Sequence, residues 1–325
     1  MTRELSYKDA ITEALKLSMD KDPSVFVYGA GVDDASGIFG TGVGLSKYFG
    51  KKRVMDVPVS ENALTGIGIG SAITGMKPIL VHQRIDFTLL TMDQIVNHAS
   101  KFHYMFGGKL SVPIVIRAIV GRGWGQGTQH SQSFHSIFSH FPGLKVVLPS
   151  NAYDAKGLLA SSIKDKNPII FIEHKFLMNT NTNVPKKYYE IELGKGKKIT
   201  SGSDVTIVCF SLMVNEAIKA SNILRKNNIE CEVIDLRTSK PLDEKIIINS
   251  VKKTGRLVVC DIDWINCGSS AEIVSLVSEK IFPYLKSSPI RIGLPEANHP
   301  SSYSLENVFF PDYKTIINSV KKITK

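Results

Sequence analysis

Apolar and polar positions along the chain alternate between a helical and an extended pattern. Behind Ser6, apolar residues recur at helical spacing from Ile11 to Met19, which predicts a helix capped by the serine hydroxyl. The run Val25–Tyr28 is then uniformly apolar and ends at a glycine, as is typical of a buried strand. This stretch therefore predicts a helix followed by a buried strand.

The same alternation continues through the first half of the chain. Further apolar runs predict strands at 53–56, 78–81, 113–116, 145–148 and 168–172, with helical patterns at about 61–75, 91–104 and 151–164. Parallel strands need a crossover connection, which is usually a helix. This order therefore predicts a mainly parallel sheet with helices on both faces.

The composition changes between about residues 176 and 203, where asparagine, threonine and glycine are concentrated and predict a linker. A second series follows, with strands predicted at 204–209, 231–235 and 256–260 and helices at 213–227, 243–253 and 269–281. We therefore predict an α/β protein of two domains, each a mainly parallel sheet covered by helices. The domains are expected at 1–178 and 203–325, with the linker at 179–202.

Composition adds a cellular setting. The chain is 43% hydrophobic and 22% charged, as in ordinary globular proteins, and it has no apolar run long enough to span a membrane. The residues after Met1 do not resemble a signal peptide. Four scattered cysteines are expected to be buried, reduced thiols: Cys209, Cys231, Cys260 and Cys267. Together these features predict a protein of the reducing cytoplasm.

The formal net charge of +10 raises the question of a nucleic-acid partner. The lysines, however, are spread along the chain in small groups and form no dense basic stripe with interleaved aromatic residues. We therefore expect neither nucleic-acid nor membrane binding. A solvated basic surface or an acidic partner chain is the better interpretation.

The first candidate for chemistry is the segment Asp56–Gly70, in which a strand ends and a helix begins. Ser60 is placed to cap that helix, and Glu61 stands at its first position. By spacing alone, Glu61 either complements the helix dipole, an effect of about 0.3–1 kcal/mol, or acts on a ligand. The glycines that follow fit either a close approach of another body or tight helix packing.

The second candidate is the glycine-rich loop, Gly121–His130, which follows a predicted strand. Four glycines in seven residues exclude a regular helix or strand. Open α/β sheets bind ligands at the carboxyl ends of their strands. His130 is therefore a candidate proton carrier, although a lone histidine is often structural.

These segments belong to an ordered set of motifs that together resemble the beta chain of pyruvate and branched-chain 2-oxo acid dehydrogenases, in the transketolase-like superfamily. The resemblance extends from about residue 3 to 324. The motifs are Pro58–Glu61, Gly66–Gly70, Met92–Asn97, Gln129–Gln132, Pro142–Val147, Asp154–Gly157, Asn167–Pro168, Asp235–Thr238, Pro241–Asp243 and Arg256–Val259.

The resemblance implies a thiamine diphosphate cofactor and a role for each site residue. The glutamate matching Glu61 hydrogen-bonds the cofactor's aminopyrimidine ring and favours the imino tautomer that generates the nucleophilic ylide. Gln83 and Phe87 match cofactor-binding positions; Phe87 would pack against the pyrimidine, or be an ordinary core residue. His130 matches a histidine that steadies the substrate carboxylate or the bound intermediate.

The resemblance also implies metal ions and a partner. A structural potassium site, built largely from backbone oxygens, matches the positions Ile114, Ser162, Ile163, Asp165 and Asn167. Related enzymes hold the diphosphate through Mg²⁺ bound at a Gly-Asp-Gly motif, and this sequence contains no such motif. The cofactor is therefore expected to be shared with an alpha subunit that holds the Mg²⁺, in an α2β2 assembly with contacts between beta chains.

Two segments depart from the family pattern. Arg84 and Asp86 bring charge beside the expected pocket, where they could recognise a polar or anionic substrate or form an ion pair at a subunit contact. The segment Asp261–Gly268 lacks the usual acidic and glycine-rich pattern. Both departures leave the substrate and acceptor open.

The expected activity is that of a beta subunit that decarboxylates a small 2-oxo acid and passes the acyl group to a lipoyl acyltransferase. The alternative is a split transketolase, or an acyloin- or ketol-forming synthase with a small-molecule acceptor. A non-catalytic scaffold is a third hypothesis, and the presence of both Glu61 and His130 argues against it.

Overall fold

The computed structural model describes residues 2–34 and 38–324. The chain divides into two packed units, and each contains its own sheet. The first unit comprises Met1–Gly121 and Ile137–Leu193. The second comprises Arg122–Ser136 and Gly194–Lys325. The glycine-rich loop beyond Gly121 therefore belongs to the second unit, although it is an insertion in the sequence of the first.

The elements up to Leu193 follow the alternation expected from the sequence. The strands are β1 (Thr2–Ser6), β2 (Val25–Gly29), β3 (Val54–Asp56), β4 (Lys77–His82), β5 (Val115–Val120), β6 (Lys145–Val147), β7 (Ile169–His174) and β8 (Asn181–Pro185). The α-helices are α1 (Tyr7–Lys21), α2 (Leu45–Phe49), α3 (Glu61–Ile73), α4 (Ser100–Met105), α5 (His135–His140) and α6 (Ala152–Lys164). Short 3₁₀ segments occur at Ile38–Gly40, Ile85–Thr91 and Lys175–Leu177, and a π-helix at Asp93–Ala99.

Six strands of the first unit form a parallel sheet in the order β6, β7, β5, β4, β2, β3. Its central strands β5 and β7 are buried along their whole length, because helices cover both faces. An antiparallel pair, β1 with β8, lies apart from this sheet. The carboxyl ends of β2, β3 and β4 meet at one edge of the parallel sheet, where ligands bind in open α/β folds.

One ion pair is enclosed in the core of the first unit. Arg117 on β5 and Glu173 on β7 are 1% and 0% exposed. The guanidinium Nε and Nη2 lie 2.6 and 2.8 Å from the two carboxylate oxygens, and Nη2 also donates to Thr41 Oγ1 at 2.9 Å. This bidentate geometry, with its extra hydrogen bond, is what a buried charge pair needs to offset desolvation.

The second unit repeats the arrangement on a smaller scale. Its strands are β9 (Lys197–Lys198), β10 (Val205–Cys209), β11 (Cys231–Asp235), β12 (Thr238–Lys240), β13 (Leu257–Trp264) and β14 (Ile290–Leu294). Its helices are α7 (Leu212–Arg225), α8 (Glu244–Thr254), α9 (Ser269–Ile281), α10 (Tyr303–Phe309) and α11 (Tyr313–Thr324). Strands β14, β13, β10 and β11 are parallel neighbours, and β9 joins β11 antiparallel at the edge.

The predicted fold class, two α/β units with mainly parallel sheets covered by helices, is confirmed. The helix expected at 91–104 is instead a π-helix followed by α4. Part of the expected linker, Asn181–Pro185, is strand β8, because it pairs with β1 over five residues.

Two finer expectations meet different outcomes. Ser6 caps α1 by accepting a hydrogen bond from Asp9 N at 3.2 Å, as expected. Ser60 occupies the position before α3, but its side chain makes no capping hydrogen bond.

Of the four cysteines, Cys267 is exposed rather than buried, because it lies in the turn after β13. Within the described residues, none of the helices has both the length and the apolar character needed to cross a bilayer.

Candidate active site

Hydrogen bonds tie the strand ends together at the carboxyl edge of the first sheet. Gly31, just beyond β2, donates its N–H to Asp56 Oδ1 at the end of β3 at 2.6 Å. Gln83, just beyond β4, donates its side-chain amide to the carbonyl oxygen of Ala30 at 3.1 Å. These hydrogen bonds link the carboxyl ends of β2, β3 and β4 to one another, and Gln83 takes part in them.

Glu61 is the first residue of α3, which begins beside this edge. Its residue is half-buried, and its backbone carbonyl accepts the Thr65 hydroxyl at 2.8 Å. Its carboxylate makes no hydrogen bond or ion pair with any residue in 2–34 or 38–324. A carboxylate at a helix start that forms no polar contact with the described side chains fits a ligand nitrogen that needs a hydrogen-bond partner.

The glycines of α3 differ in what surrounds them. A Cβ on Gly68 would lie 2.0 Å from the Tyr28 hydroxyl oxygen, so this glycine is required by tight packing on β2. That hydroxyl donates to the carbonyl of Leu64 at 3.0 Å, and burial raises the pKa of Tyr28. A Cβ on Gly70 would meet nothing within 4 Å. Of the two interpretations left open by the sequence, tight helix packing holds at Gly68.

Phe87 lies in the 3₁₀ segment Ile85–Thr91 that follows Gln83. Its neighbours Ile85 and Thr88 are fully buried, whereas Phe87 itself is only partly buried. It is therefore not a fully enclosed core phenylalanine. A partly exposed aromatic ring beside Gln83 is able to pack against a planar ligand.

The burial of Arg84 fits neither of the two roles suggested by the sequence, which were substrate recognition and an ion pair at a subunit contact. Arg84 is only 2% exposed, and its guanidinium carbon lies 4.9 Å from the centre of the Phe39 ring. Burial lowers the pKa of Arg84 to about 10, although the charge of Asp86 opposes this effect. Contact with a substrate or with another subunit would need an exposed guanidinium. Arg84 instead packs inside the first unit, against the connection between β2 and β3.

His82, the last residue of β4, was not identified from the sequence. It is 4% exposed, and its Nε2 has no hydrogen-bond partner among the described residues. Burial lowers the pKa of His82 to about 4, so the imidazole is neutral at physiological pH. A buried strand ending in a histidine gives no periodic signal that separates it from a core position.

His130 lies in the second unit, half-buried in a turn of the glycine-rich loop. Left-handed backbone at several loop residues explains the glycines: φ is positive at Gly121, Gly123, Trp124, Gly125 and Gly127. As expected, the loop is neither helix nor strand. The expected site residues therefore divide between the units, with Glu61, Gln83 and Phe87 in the first and His130 in the second.

The glycine-rich loop is bound to the segment around α10. Gly123 N donates to Glu306 Oε1 at 3.1 Å, and Thr128 Oγ1 donates to the carbonyl of His299 at 3.0 Å. A Cβ on Gly127 would lie 2.1 Å from Ser301 Oγ, and the positive φ of 59° also favours glycine there. These contacts hold the backbone on the amino-terminal side of His130.

The five positions expected to hold potassium cluster around the end of α6. The carbonyls of Ser162 and Ile163 lie in the last turn of that helix, where backbone oxygens have no intrahelical partner, and they suit a cation. The carbonyl of Ile114 accepts Ile169 N at 2.9 Å, which leaves its second lone pair for a cation. In the described ranges, no group of three or more His, Cys, Asp or Glu side chains converges as a metal site.

The side chains of the remaining two positions are also engaged. Asp165 accepts a hydrogen bond from the backbone N–H of Asn167 at 2.8 Å and forms an ion pair with Lys145 at 2.5 Å. Burial disfavours the Asp165 carboxylate, but these contacts outweigh it and lower its pKa. The Asp165 carboxylate is therefore ionised and bound to Lys145 and Asn167.

Comparison with known proteins decides the family. The family model described as "Transketolase, pyrimidine binding domain" matches residues 3–180, and "Transketolase, C-terminal domain" matches residues 194–316. The pyruvate dehydrogenase E1 component subunit beta of Rickettsia conorii is 40% identical over 320 residues, covering 98% of both chains. The chain belongs to the beta chains of the thiamine-diphosphate-dependent 2-oxo acid dehydrogenases.

Other relatives of this beta chain carry a different activity in their names. The acetoin:2,6-dichlorophenolindophenol oxidoreductase subunit beta of Cupriavidus necator is 42% identical over 334 residues, covering 100% of this chain and 99% of its own. A solved split-gene transketolase, described as an inactive beta4 tetramer, is similar with a TM-score of 0.80 over 98% of both chains. At 19% identity, that likeness shows the fold alone.

Proposed function

We propose that this beta chain acts with a separate alpha subunit to decarboxylate a small 2-oxo acid and transfer the resulting acyl group. The observation that supports this most directly concerns Glu61, which is half-buried near the carboxyl edge of the sheet. Its carboxylate makes no hydrogen bond or ion pair with the described residues. Thiamine diphosphate, when bound, supplies the nucleophilic carbon and the electron sink that decarboxylation requires. The protein residues supply binding, orientation and proton transfer.

Each site residue then has a distinct task. Glu61 would share a proton with the aminopyrimidine ring through a hydrogen bond, and the partly exposed ring of Phe87 would pack against the same ring. Gln83 borders that position, held by its hydrogen bond to Ala30. His130 assists by stabilising the substrate carboxylate or donating a proton.

The alpha subunit is proposed to carry the diphosphate and its Mg²⁺, because this chain has no Gly-Asp-Gly motif. We further propose an α2β2 assembly, a lipoyl acyltransferase as acceptor, and a cytoplasmic location. Potassium, if bound, would be held by the Ser162 and Ile163 carbonyls, with the backbone oxygens of Asp165 and Asn167 nearby in sequence. That ion would stabilise the end of α6 and takes no part in the reaction.

The test uses the co-purified alpha–beta complex with thiamine diphosphate and Mg²⁺. Separate reactions receive a series of 2-oxo acids with a lipoylated carrier domain, or a ketose phosphate with an aldehyde acceptor. We expect carbon dioxide release and acylation of the carrier with at least one 2-oxo acid. Turnover of the sugar phosphate alone would favour the transketolase alternative and overturn the dehydrogenase proposal.

A binding measurement tests the shared site independently of turnover. We expect the isolated beta chain to bind thiamine diphosphate poorly by calorimetry, with or without Mg²⁺, and the complex to bind it tightly. Tight, Mg²⁺-dependent binding by the beta chain alone would contradict the proposed division of the cofactor.

A further inference from the structure

His135 is a buried histidine of the second unit that none of the proposed catalytic steps uses. It begins α5, five positions after His130, and it is 0% exposed. Its Nε2 lies 2.8 Å from Asp261 Oδ1, and its Nδ1 lies 3.7 Å from Asp263 Oδ2. Burying a histidine and two carboxylates together carries a desolvation penalty, which only close contacts between opposite charges offset. We therefore asked what this cluster of side chains does.

The two aspartates reach His135 from one strand. Asp261 and Asp263 are two positions apart on β13, and side chains at that spacing point to the same face of a strand. They are 0% and 2% exposed. We refer to His135, Asp261 and Asp263 together as the His135 anchor.

Two backbone N–H groups of the second unit also donate hydrogen bonds to the Asp261 carboxylate. Its Oδ1 accepts Ile262 N at 2.8 Å, and its Oδ2 accepts Ser270 N, in the first turn of α9, at 3.1 Å. The positive end of the helix dipole adds to this stabilisation. Asp261 is thereby a fixed carboxylate, and its position does not depend on His135 alone.

Asp263 contacts the same loop end at a second point. Its Oδ2 accepts the hydroxyl of Ser136 at 2.5 Å, and its Oδ1 accepts Trp264 N at 2.8 Å. Two consecutive residues of the chain, His135 and Ser136, are therefore bound to the carboxylates of β13.

The charge state of the imidazole follows from these neighbours. Burial disfavours the imidazolium, but the charge and hydrogen bond of Asp261 and the charge of Asp263 outweigh it and raise the pKa of His135 to about 9. The same attraction outweighs burial at Asp261 and lowers the pKa of that carboxyl. Just beyond β10, the uncharged ring of Phe210 also contacts His135, with the ring centres 5.7 Å apart. At neutral pH the contact between His135 and Asp261 is therefore a charged one, whereas burial raises the pKa of Asp263 despite the attraction of His135.

Along the chain, the residues held by the His135 anchor follow His130, whereas the residues held by the α10 region precede it. Glu306 and the His299 carbonyl hold the chain before His130, at Gly123 and Thr128. Asp261 and Asp263 hold it after His130. The backbone between these contacts is irregular and rich in glycine, so it supplies little rigidity of its own.

We propose that His135 is a positioning residue, whose buried ion pair with Asp261 and Asp263 fixes the glycine-rich loop so that His130 is held for the reaction. This inference rests on the proposed function, because it assigns His135 a task through His130. His135 itself is fully buried and acts through the position of the loop.

The experiment compares the alpha–beta complex carrying His135→Gln with wild type and with His140→Gln, an exposed histidine at the other end of α5. For His135→Gln we expect kcat to fall about 10- to 100-fold, as small misplacements of catalytic groups do. The KM for the 2-oxo acid separates the two tasks of His130: a raised KM assigns it to the substrate carboxylate, and a KM within about twofold of wild type assigns it to proton transfer. His140→Gln should match wild type in both constants.

Hydrogen exchange supplies a readout that needs no activity. In His135→Gln, backbone amides of residues 122–134 should exchange at least about tenfold faster, whereas those of β10 should keep their wild-type rates. Wild-type kcat together with wild-type exchange in the loop would overturn the proposal. Faster exchange throughout the second unit would also overturn it, because it would show a general structural role.

A second variant keeps the proposal testable if His135→Gln does not fold. Asp263→Asn leaves the Asp261 contact in place but removes one of the two charges that raise the pKa of His135. We expect the alkaline limb of the kcat profile, near the pKa of about 9, to move to lower pH in this variant. An unmoved limb would contradict the role of the ion pair. If no 2-oxo acid is turned over by wild type, the proposed function fails, while the exchange experiment still tests the His135 anchor.

Discussion

His135 Nε2 and Asp261 Oδ1 lie 2.8 Å apart in the second unit, and both residues are 0% exposed. Neither residue was a candidate by itself from the sequence. Asp261 lies in a segment that departs from the family pattern, and the structure pairs it with His135. This charged contact binds the loop that carries His130.

The pairing predicts a pH dependence of stability. The pKa of His135 is about 9 in the folded chain, against 6.5 for an ordinary histidine. Because the folded-state pKa is raised, the stabilisation is complete below pH 6.5 and is lost as the pH rises through about 9. Compared with His135→Gln, the wild-type free energy of unfolding should be higher by roughly 3 kcal/mol near pH 6, where the imidazolium and the Asp261 carboxylate are both charged, and the difference should shrink as the pH rises through about 9.

Urea denaturation followed by far-ultraviolet circular dichroism, at several pH values on both sides of this window, measures that difference. A difference that stays constant with pH would show that the His135 ion pair does not contribute. His140→Gln, at the exposed end of α5, serves as the control and should show no pH-dependent difference from wild type.

Glu61→Gln should abolish most of the activity without loss of structure. The variant keeps the size of the side chain but cannot hold the proton in the same way, so kcat should fall by about 10²–10⁴-fold. The thermal midpoint should stay within about 2 °C, because the Glu61 carboxylate has no contact within the described residues to lose. Asn62→Ala, exposed on the same helical turn, is the control and should keep wild-type kcat. Activity near wild type in Glu61→Gln would refute its assigned role.

Gly68→Ala and Gly70→Ala form a matched pair on α3. A Cβ at Gly68 would lie 2.0 Å from the Tyr28 hydroxyl oxygen, so Gly68→Ala should destabilise the first unit by about 1–3 kcal/mol. Nothing lies within 4 Å of a Cβ at Gly70, and Gly70→Ala should stabilise α3 by about 0.5–1 kcal/mol. Urea midpoints measure both changes, and equal effects at the two positions would contradict the packing argument.

Tyr28→Phe in the Gly68→Ala background separates the clash with the Tyr28 hydroxyl from the one with Ile114 Cδ1, which would lie 2.8 Å from the new methyl group. It removes the hydroxyl that the new methyl group would meet, although it also removes the hydrogen bond to Leu64. We expect the double variant to be more stable than Gly68→Ala alone. An additive loss in the double variant would place the clash elsewhere.

Glu173→Gln should be strongly destabilising, since it leaves Arg117 charged and buried without its carboxylate. Removal of one partner from a buried ion pair costs about 3–5 kcal/mol. Glu190→Gln is the control, because its pair with Lys164 is largely exposed and is worth less than about 1 kcal/mol. A loss at Glu173 as small as that at Glu190 would show that the buried pair is not a net requirement for folding.

Much of the fold was accessible from the sequence because its signals are local. The apolar runs that predict β2 and β7 become strands buried along their length, since a strand covered on both faces must be apolar throughout. Helices α6 and α9 begin within one residue of the predicted positions, and both end at them. Glu61 was placed at the start of α3 because a strand, a proline and a serine precede it.

The helix at 91–104 and the linker at 179–202 show where local signals mislead. The apolar spacing at 91–104 fits several helical periods, and the backbone adopts a π-helix before α4. Asn181–Pro185 has turn composition but becomes a strand, because β1 supplies the hydrogen-bonding partner. Propensity is a weak guide where a distant segment provides such a partner.

By itself, the sequence determined the alternating α/β elements, the two-sheet architecture and the position of Glu61 at a helix start. All three follow from backbone periodicity and from residues adjacent along the chain. Only the tertiary structure decided that the glycine-rich loop belongs to the second unit, that Arg84 is buried, and that His135 meets Asp261 and Asp263. These outcomes depend on which side chains the packing of distant segments brings within a few ångströms, and no periodicity along the chain encodes that distance.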